Sequence, residues 1–246
     1  MQTELIILAG LIFASGALSL PLTRMLVSNV AFLRHTSGQP PQYEEPPQPL
    51  APEDRHLIRI HEAGHAIAMT AIPSFRKVTR IAVGTRDVRY GVTESIPTGS
   101  FERRQVVTIT DLEHAIIQCL GGRAAEKLIF GAYSTGDEVD LKNATVIAWT
   151  IVTMYGASLN FPNQIFPPDR RIAEYTRVIL TVETQMIISH CFATAIAILT
   201  ENKTVLHALA EKLQEEPLLE GEALDAILAS VIPYRASPVK SDMSAN

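Results

Sequence analysis

Cysteine is almost absent from this chain. Cys119 and Cys191 are the only two, each inside an apolar stretch of helical pattern. That excludes a disulfide framework and a CxxC zinc ribbon, and it leaves two small buried thiols of a reducing compartment. Charge of one sign is also missing as a block. Lys and Arg number 21 against 26 Asp and Glu, for a net charge of −5, with no long basic run. Non-specific binding to nucleic acid needs clustered cations against the phosphates, so nucleic acid is not an expected partner. No GxxxxGK[ST] string occurs. The chain thus has no P-loop to cradle phosphates and is not expected to bind ATP. No segment recurs at a fixed period. Compositional disorder is excluded as well, since 47% of residues are apolar and 19% charged, enough to bury a core.

What is present begins with a long apolar run. Residues 5–22 read LIILAGLIFASGALSLPL without a charge, close to the length of a membrane span. The preceding Met-Gln-Thr-Glu lacks the positive flank of a cleavable signal. Arg24 and Arg34 follow the run, so the positive-inside bias places the bulk of the chain on the cytoplasmic side of a bacterial inner membrane or an organelle equivalent. Residues 1–35 are therefore expected to be a single-pass anchor with its flank. Residues 36–54 carry prolines at 40, 41, 46, 47, 49 and 52, the signature of an extended, semi-rigid linker.

From residue 55 the pattern is mostly helical. Apolar positions at helical spacing over 54–72 stop at Pro73, and 75–95 show β-branched alternation broken by Gly84 and Gly91, which predicts a hairpin or small sheet. Helical periodicity returns over 109–130, 138–156, 168–200, 203–215 and 221–231. The expected fold is mainly α with a small β-sheet over residues 55–232, followed by a tail at 233–246.

Residues 61–65 read HEAGH. Side chains four apart on a helix project from one face, so His61 and His65 can both offer an imidazole nitrogen to one tetrahedral cation. Glu62 lies beside them, placed to take a proton from the attacking water of an amide hydrolysis. Histidine alone on a helix is more often a satisfied core or surface residue. Two of them flanking Glu62, with small Ala63 and Gly64 between, point instead to Zn2+. The other histidines, at 35, 56, 114, 190 and 207, are read as structural or surface residues.

The third ligand is not decided by spacing. A histidine six residues after His65 would mark a metzincin, but that position is Ala71. The remaining candidates are carboxylates: Glu126 in GGRAAEKL, and Asp137, Glu138 and Asp140 in STGDEVDLKNAT. Several of these, Asp137 above all, also suit the cap of a helix starting near 137.

Taken together, HEAGHAIA, KVTRIAV with YGVTESIP, LGGRAAEKLIFG, STGDEVDLKNAT, VTMYGAS, EYTRVILTVETQ and ALAEKLQEEPLLEGEALDAIL run in unbroken order over about residues 55–232. In this the chain resembles the peptidase domain of the FtsH family of membrane-anchored zinc metalloproteases. The family's second motif reads TGA-x-ND-L, and its final aspartate is the third zinc ligand. The resemblance thus implies metal ligation by His61, His65 and Asp140, with Asp137, Glu138 and Val139 departing from the motif just before it. Glu126 becomes the alternative ligand, or a group that supports the histidines or pairs with Arg123. The resemblance further implies that the strand near 78–84 borders the cleft and receives extended substrate. It also implies a homo-oligomer, a hexamer by likeness, or association with an AAA ATPase partner.

These residues set the functional expectation. It is a membrane-tethered, ATP-independent zinc endopeptidase cutting unfolded or flexible protein segments, with Glu62 as general base. The alternative is a non-catalytic adaptor or regulatory subunit of FtsH-like AAA proteases. Co-purification of an ATPase at fixed stoichiometry would distinguish the two.

Overall fold

A computed structural model describes residues 50–72, 76–88, 90–97, 106–168 and 171–235. The expected anchor, most of the proline-rich linker and the end of the C-terminal tail lie outside the described residues.

Helix α1 (Pro52–Ala71) is the spine of the fold. It begins inside the expected linker because Pro52 opens its first turn, where a fixed φ and a missing N–H cost nothing. Glu53 and Asp54 complement the positive end of the helix dipole in the same turn. Ile60, Ala63, Ala66 and Ile67 are fully buried along it. Strands β1 (Arg76–Val83) and β2 (Gly91–Pro97) then form the expected hairpin. They pair antiparallel with Ile81 opposite Thr93, and a bulge interrupts the register between Val78 and Arg80.

The helical pattern over 109–130 is two helices, not one. Helix α2 (Ile109–Cys119) opens with a capping box between Thr108 and Asp111, and α3 (Gly121–Phe130) starts on the far side of Leu120. The break lets α3 cross α1 almost backbone to backbone. A Cβ on Gly64 would stand 2.5 Å from the Gly121 carbonyl oxygen and from Ala125 Cβ. Only glycine allows that approach.

Helix α4 (Glu138–Met154) ends before Gly156, which takes a left-handed φ of 66°. Helix α5 (Glu174–Glu201) starts six residues after the expected 168, since Ala173 is still extended at φ −57°, ψ 143°. Among the described residues α5 alone is long and apolar enough to cross a membrane. It packs into the core instead through Leu180, Cys191, Ala195, Ile198 and Leu199. Asn202 then joins it to α6 (Lys203–Glu215). The buried Asn202 amide accepts from Ile232 N–H at 2.7 Å and donates to the carbonyls of Ile198 and Ile232, tying the segment after residue 231 to the helical turn. Strand β3 (Leu218–Glu220) leads into α7 (Gly221–Leu228). The periodicity did not announce β3, because three residues are too few to show alternation.

The sheet runs β2-β1-β3, so β1 is central. Arg80, Ile81 and Ala82 have partners on both sides. The strand expected to receive substrate is therefore occupied along both edges there, and β2 has no second partner among the described residues.

Candidate metal centre

The site is assembled from α1, α2, α3 and the first turn of α4. His61 and His65 lie one turn apart on α1, and their Nε2 atoms are 3.0 Å from each other. Asp140 approaches from α4, with Oδ2 3.4 Å from His61 Nε2 and 3.2 Å from His65 Nε2. These three residues, all buried, are the group of potential metal ligands that converge among the described residues.

Both imidazoles are oriented from behind. His65 Nδ1 lies 2.9 Å from the Gln118 carbonyl at the end of α2. A carbonyl only accepts, so Nδ1 carries the proton and Nε2 presents a lone pair. His61 Nδ1 lies 2.7 Å from Glu126 Oε1 and donates to it, which leaves its Nε2 in the same condition. Glu126 is itself held: Ser134 donates to it through its backbone N–H at 2.5 Å and its hydroxyl at 2.9 Å. Three potential ligand atoms thus face one another, and any proton on a metal-facing nitrogen is one that a cation would displace. Tetrahedral zinc with bonds of about 2.0–2.1 Å would hold its ligand atoms about 3.3 Å apart, which the three separations match. The donor set fits Zn2+.

Electrostatics point the same way. Burial opposes a charged imidazole at His61, yet hydrogen bonds to Asp140 and Glu126 and the charge of Glu62 outweigh it and push the group up to about 10, so at neutral pH a proton stands on Nε2 wherever a cation does not take its place. The pocket favours positive charge at this point. Burial likewise opposes ionisation of Glu126, but its bonds with His61 and Ser134 hold the carboxyl below the usual range.

The other acids found different work. Asp137 makes no cap to α4; it is buried and paired with Arg123, whose guanidinium stacks 3.8 Å over the Tyr133 ring. This pins the start of α4 to α3 and so delivers Asp140. Arg123 does not pair with Glu126, and Glu138 is exposed. Gly122, on α3, lies against the His61 imidazole so closely that a Cβ would overlap the ring.

Glu62 is 3% exposed and lines a cleft of about 660 Å³ together with His61, Glu126, Leu57, Tyr90 and Val139. Its carboxylate meets β2, where the Thr93 hydroxyl lies 2.8 Å from Oε2. Thr93, Ser134 and the Gln118 carbonyl carried no signal in the sequence, because each meets the site through folding at long range. Among the other histidines, His56 stacks edge-on against Phe130, while His190 and His207 are exposed and His114 partly buried.

Known proteins share this arrangement of sequence. The model of peptidase family M41 matches residues 48–227. The chain is 32% identical over 197 residues to the ATP-dependent zinc metalloprotease FtsH 4 of Synechocystis sp., covering 74% of this chain and 31% of that protein. It is 35% identical over 175 residues to FtsH 2 of Thermoanaerobacter sp., covering 71% and 33%. The FtsH of Ruminiclostridium cellulolyticum matches at 32% over 196 residues, covering 74% and 31%. The chain spans about a third of the length of these relatives. A metal-ready His-His-Asp cluster and a family match across most of the chain agree: this protein belongs to peptidase family M41, the zinc metalloproteases of FtsH type.

Proposed function

We propose that the chain is a zinc endopeptidase that cuts unfolded or flexible protein segments, with His61, His65 and Asp140 as metal ligands and Glu62 as general base. The observation that carries this reading is the convergence of His61, His65 and Asp140, with His61 and Glu62 both lining the adjoining cleft. Zinc, when bound there, would polarise the scissile carbonyl and bring water within reach of deprotonation near neutral pH. Glu62 would take the proton as the water oxygen bonds to the carbonyl carbon. It would then hand that proton to the amine nitrogen as the C–N bond breaks. Glu126 and the Gln118 carbonyl would keep both imidazoles in the ligating tautomer throughout.

Substrate would lie extended along β2, an edge of the sheet whose Thr93 touches Glu62. Backbone hydrogen bonds would supply most of the grip, giving low sequence selectivity. Cleavage at this centre would draw on water, the metal and Glu62 and consume no nucleotide. Tethering by residues 5–22 belongs to the same reading and rests on their apolar run.

The test is cleavage of a labelled, unfolded protein by the purified full chain without ATP, beside Glu62→Gln, with zinc content measured. Zinc-dependent cutting that disappears in Glu62→Gln supports the reading. Equal cutting by both proteins would remove Glu62 as the base. Bound zinc with no cutting in either would favour an adaptor or a requirement for a motor partner.

A further inference from the structure

Thr93 is opposite Ile81 in the hairpin, 31 positions from Glu62, yet both hydrogen bonds of its hydroxyl go to that one residue. Oγ lies 2.8 Å from Glu62 Oε2 and 3.0 Å from the Glu62 backbone carbonyl oxygen. A hydroxyl has a single proton to donate. The carbonyl is in mid-helix, where the turn above supplies its donor, whereas an ionised carboxylate is the stronger acceptor and here the nearer one. The proton therefore goes to Oε2. Gly91 is two residues earlier and on the same face of β2. A Cβ there would stand 2.5 Å from Glu62 Oε1 and 2.7 Å from its Cγ. One strand thus holds one carboxylate oxygen and leaves room for the other.

Packing alone restrains such a group poorly. The terminal torsion of glutamate is broad and roughly two-fold, while proton transfer requires a heavy-atom approach of about 2.6–3.2 Å. We infer that Thr93 is a positioning residue for Glu62: by holding Oε2 it fixes the rotation of the carboxylate, in space that Gly91 keeps open. The inference rests on Glu62 being the base. It adds the group that aims that base, and it explains why β2 carries threonine and glycine at alternate positions facing α1.

The full chain is compared as wild type, Thr93→Val and Thr93→Ser, with kcat, KM and zinc content measured on a labelled unfolded protein. Melting temperatures are also taken for Thr93→Val in the wild-type and Glu62→Ala backgrounds. The expected result is a fall in kcat of about tenfold or more for Thr93→Val, with KM and zinc content unchanged and most of the rate restored by Thr93→Ser. The loss of melting temperature from Thr93→Val should shrink when Glu62 is already alanine, because no carboxylate remains to be held. An unchanged kcat in Thr93→Val while Glu62→Gln is inactive would overturn the inference and leave the peptidase reading standing. Equal losses of melting temperature in both backgrounds would also overturn it, since the hydroxyl would then serve the backbone carbonyl. A wild type that does not cut counts against a peptidase active on its own and points to an adaptor or a missing motor partner, and the melting comparison still decides whether Thr93 holds the carboxylate. Should Thr93→Val fail to fold, Thr93→Ala is read in the same way.

Discussion

Glu126 Oε1 lies 2.7 Å from His61 Nδ1, joining α3 to α1 across 65 positions of sequence behind the metal-facing edge of the imidazole. The carboxylate is also the acceptor for Ser134, so a single buried acid orients a proposed metal ligand and closes the loop that leads to Asp140. Glu126→Gln keeps the shape and removes the charge. Zinc affinity should fall about 10- to 100-fold with the fold retained, as read by competition with a chromophoric chelator.

Asp140 and Asp137 stand three positions apart and should respond differently. Asp140→Asn should lose most of the bound zinc at unchanged secondary structure. Asp137→Asn should keep its zinc and lose stability by about 1.5–3 kcal/mol, the usual worth of a hydrogen bond to a charged group, because its partner is Arg123. Metal analysis and denaturant melts of the two variants separate these outcomes.

Two glycines of the α3 region offer a second contrast. A methyl group on Gly122 has no room beside the His61 ring, so Gly122→Ala should displace the ligand and abolish stoichiometric zinc binding. Gly131 caps α3 at φ 70° with open space around it. Gly131→Ala should cost about 1–2 kcal/mol of backbone strain and leave metal content as in wild type.

Cys191 is buried in α5, and burial together with the charge of Glu113 pushes its thiol up to about 12. The unfolded thiol ionises near 8.5. Above that pH the unfolded state releases a proton that the native state retains, so this thiol's contribution to stability is complete below about pH 8.5 and declines as pH rises toward 12. At pH 8 a thiol reagent should label Cys191 slowly in the folded protein and fully after denaturation. Rapid labelling under native conditions would contradict the burial of α5.

Removing zinc leaves His61 Nε2, His65 Nε2 and Asp140 Oδ2 facing one another without the cation. A chelator should therefore lower the melting temperature, and added zinc should raise it in proportion to the logarithm of free metal. Calorimetry at graded zinc concentrations checks this. A melting temperature indifferent to zinc would mean that the cluster does not bind it in the folded state.

The parts of this protein that its sequence determined are local ones. HEAGH places two imidazoles and a carboxylate on adjacent turns of one helix, because the helical repeat is a property of the backbone and needs no partner. The hairpin, the order of helices and the mainly α class followed from periodicity in the same way. Spacing alone left four acids eligible as third ligand, and the likeness to FtsH peptidases pointed among them to Asp140. The tertiary structure brought Asp140 to the histidines, through Gly64 against Gly121 and Arg123 against Asp137. It also turned the helical pattern at Leu120, inserted β3 beside β1, and set Thr93 on Glu62. Those outcomes depend on which surfaces meet when the core closes, and neighbours in space that are 31 to 75 positions apart leave no periodic mark on the chain.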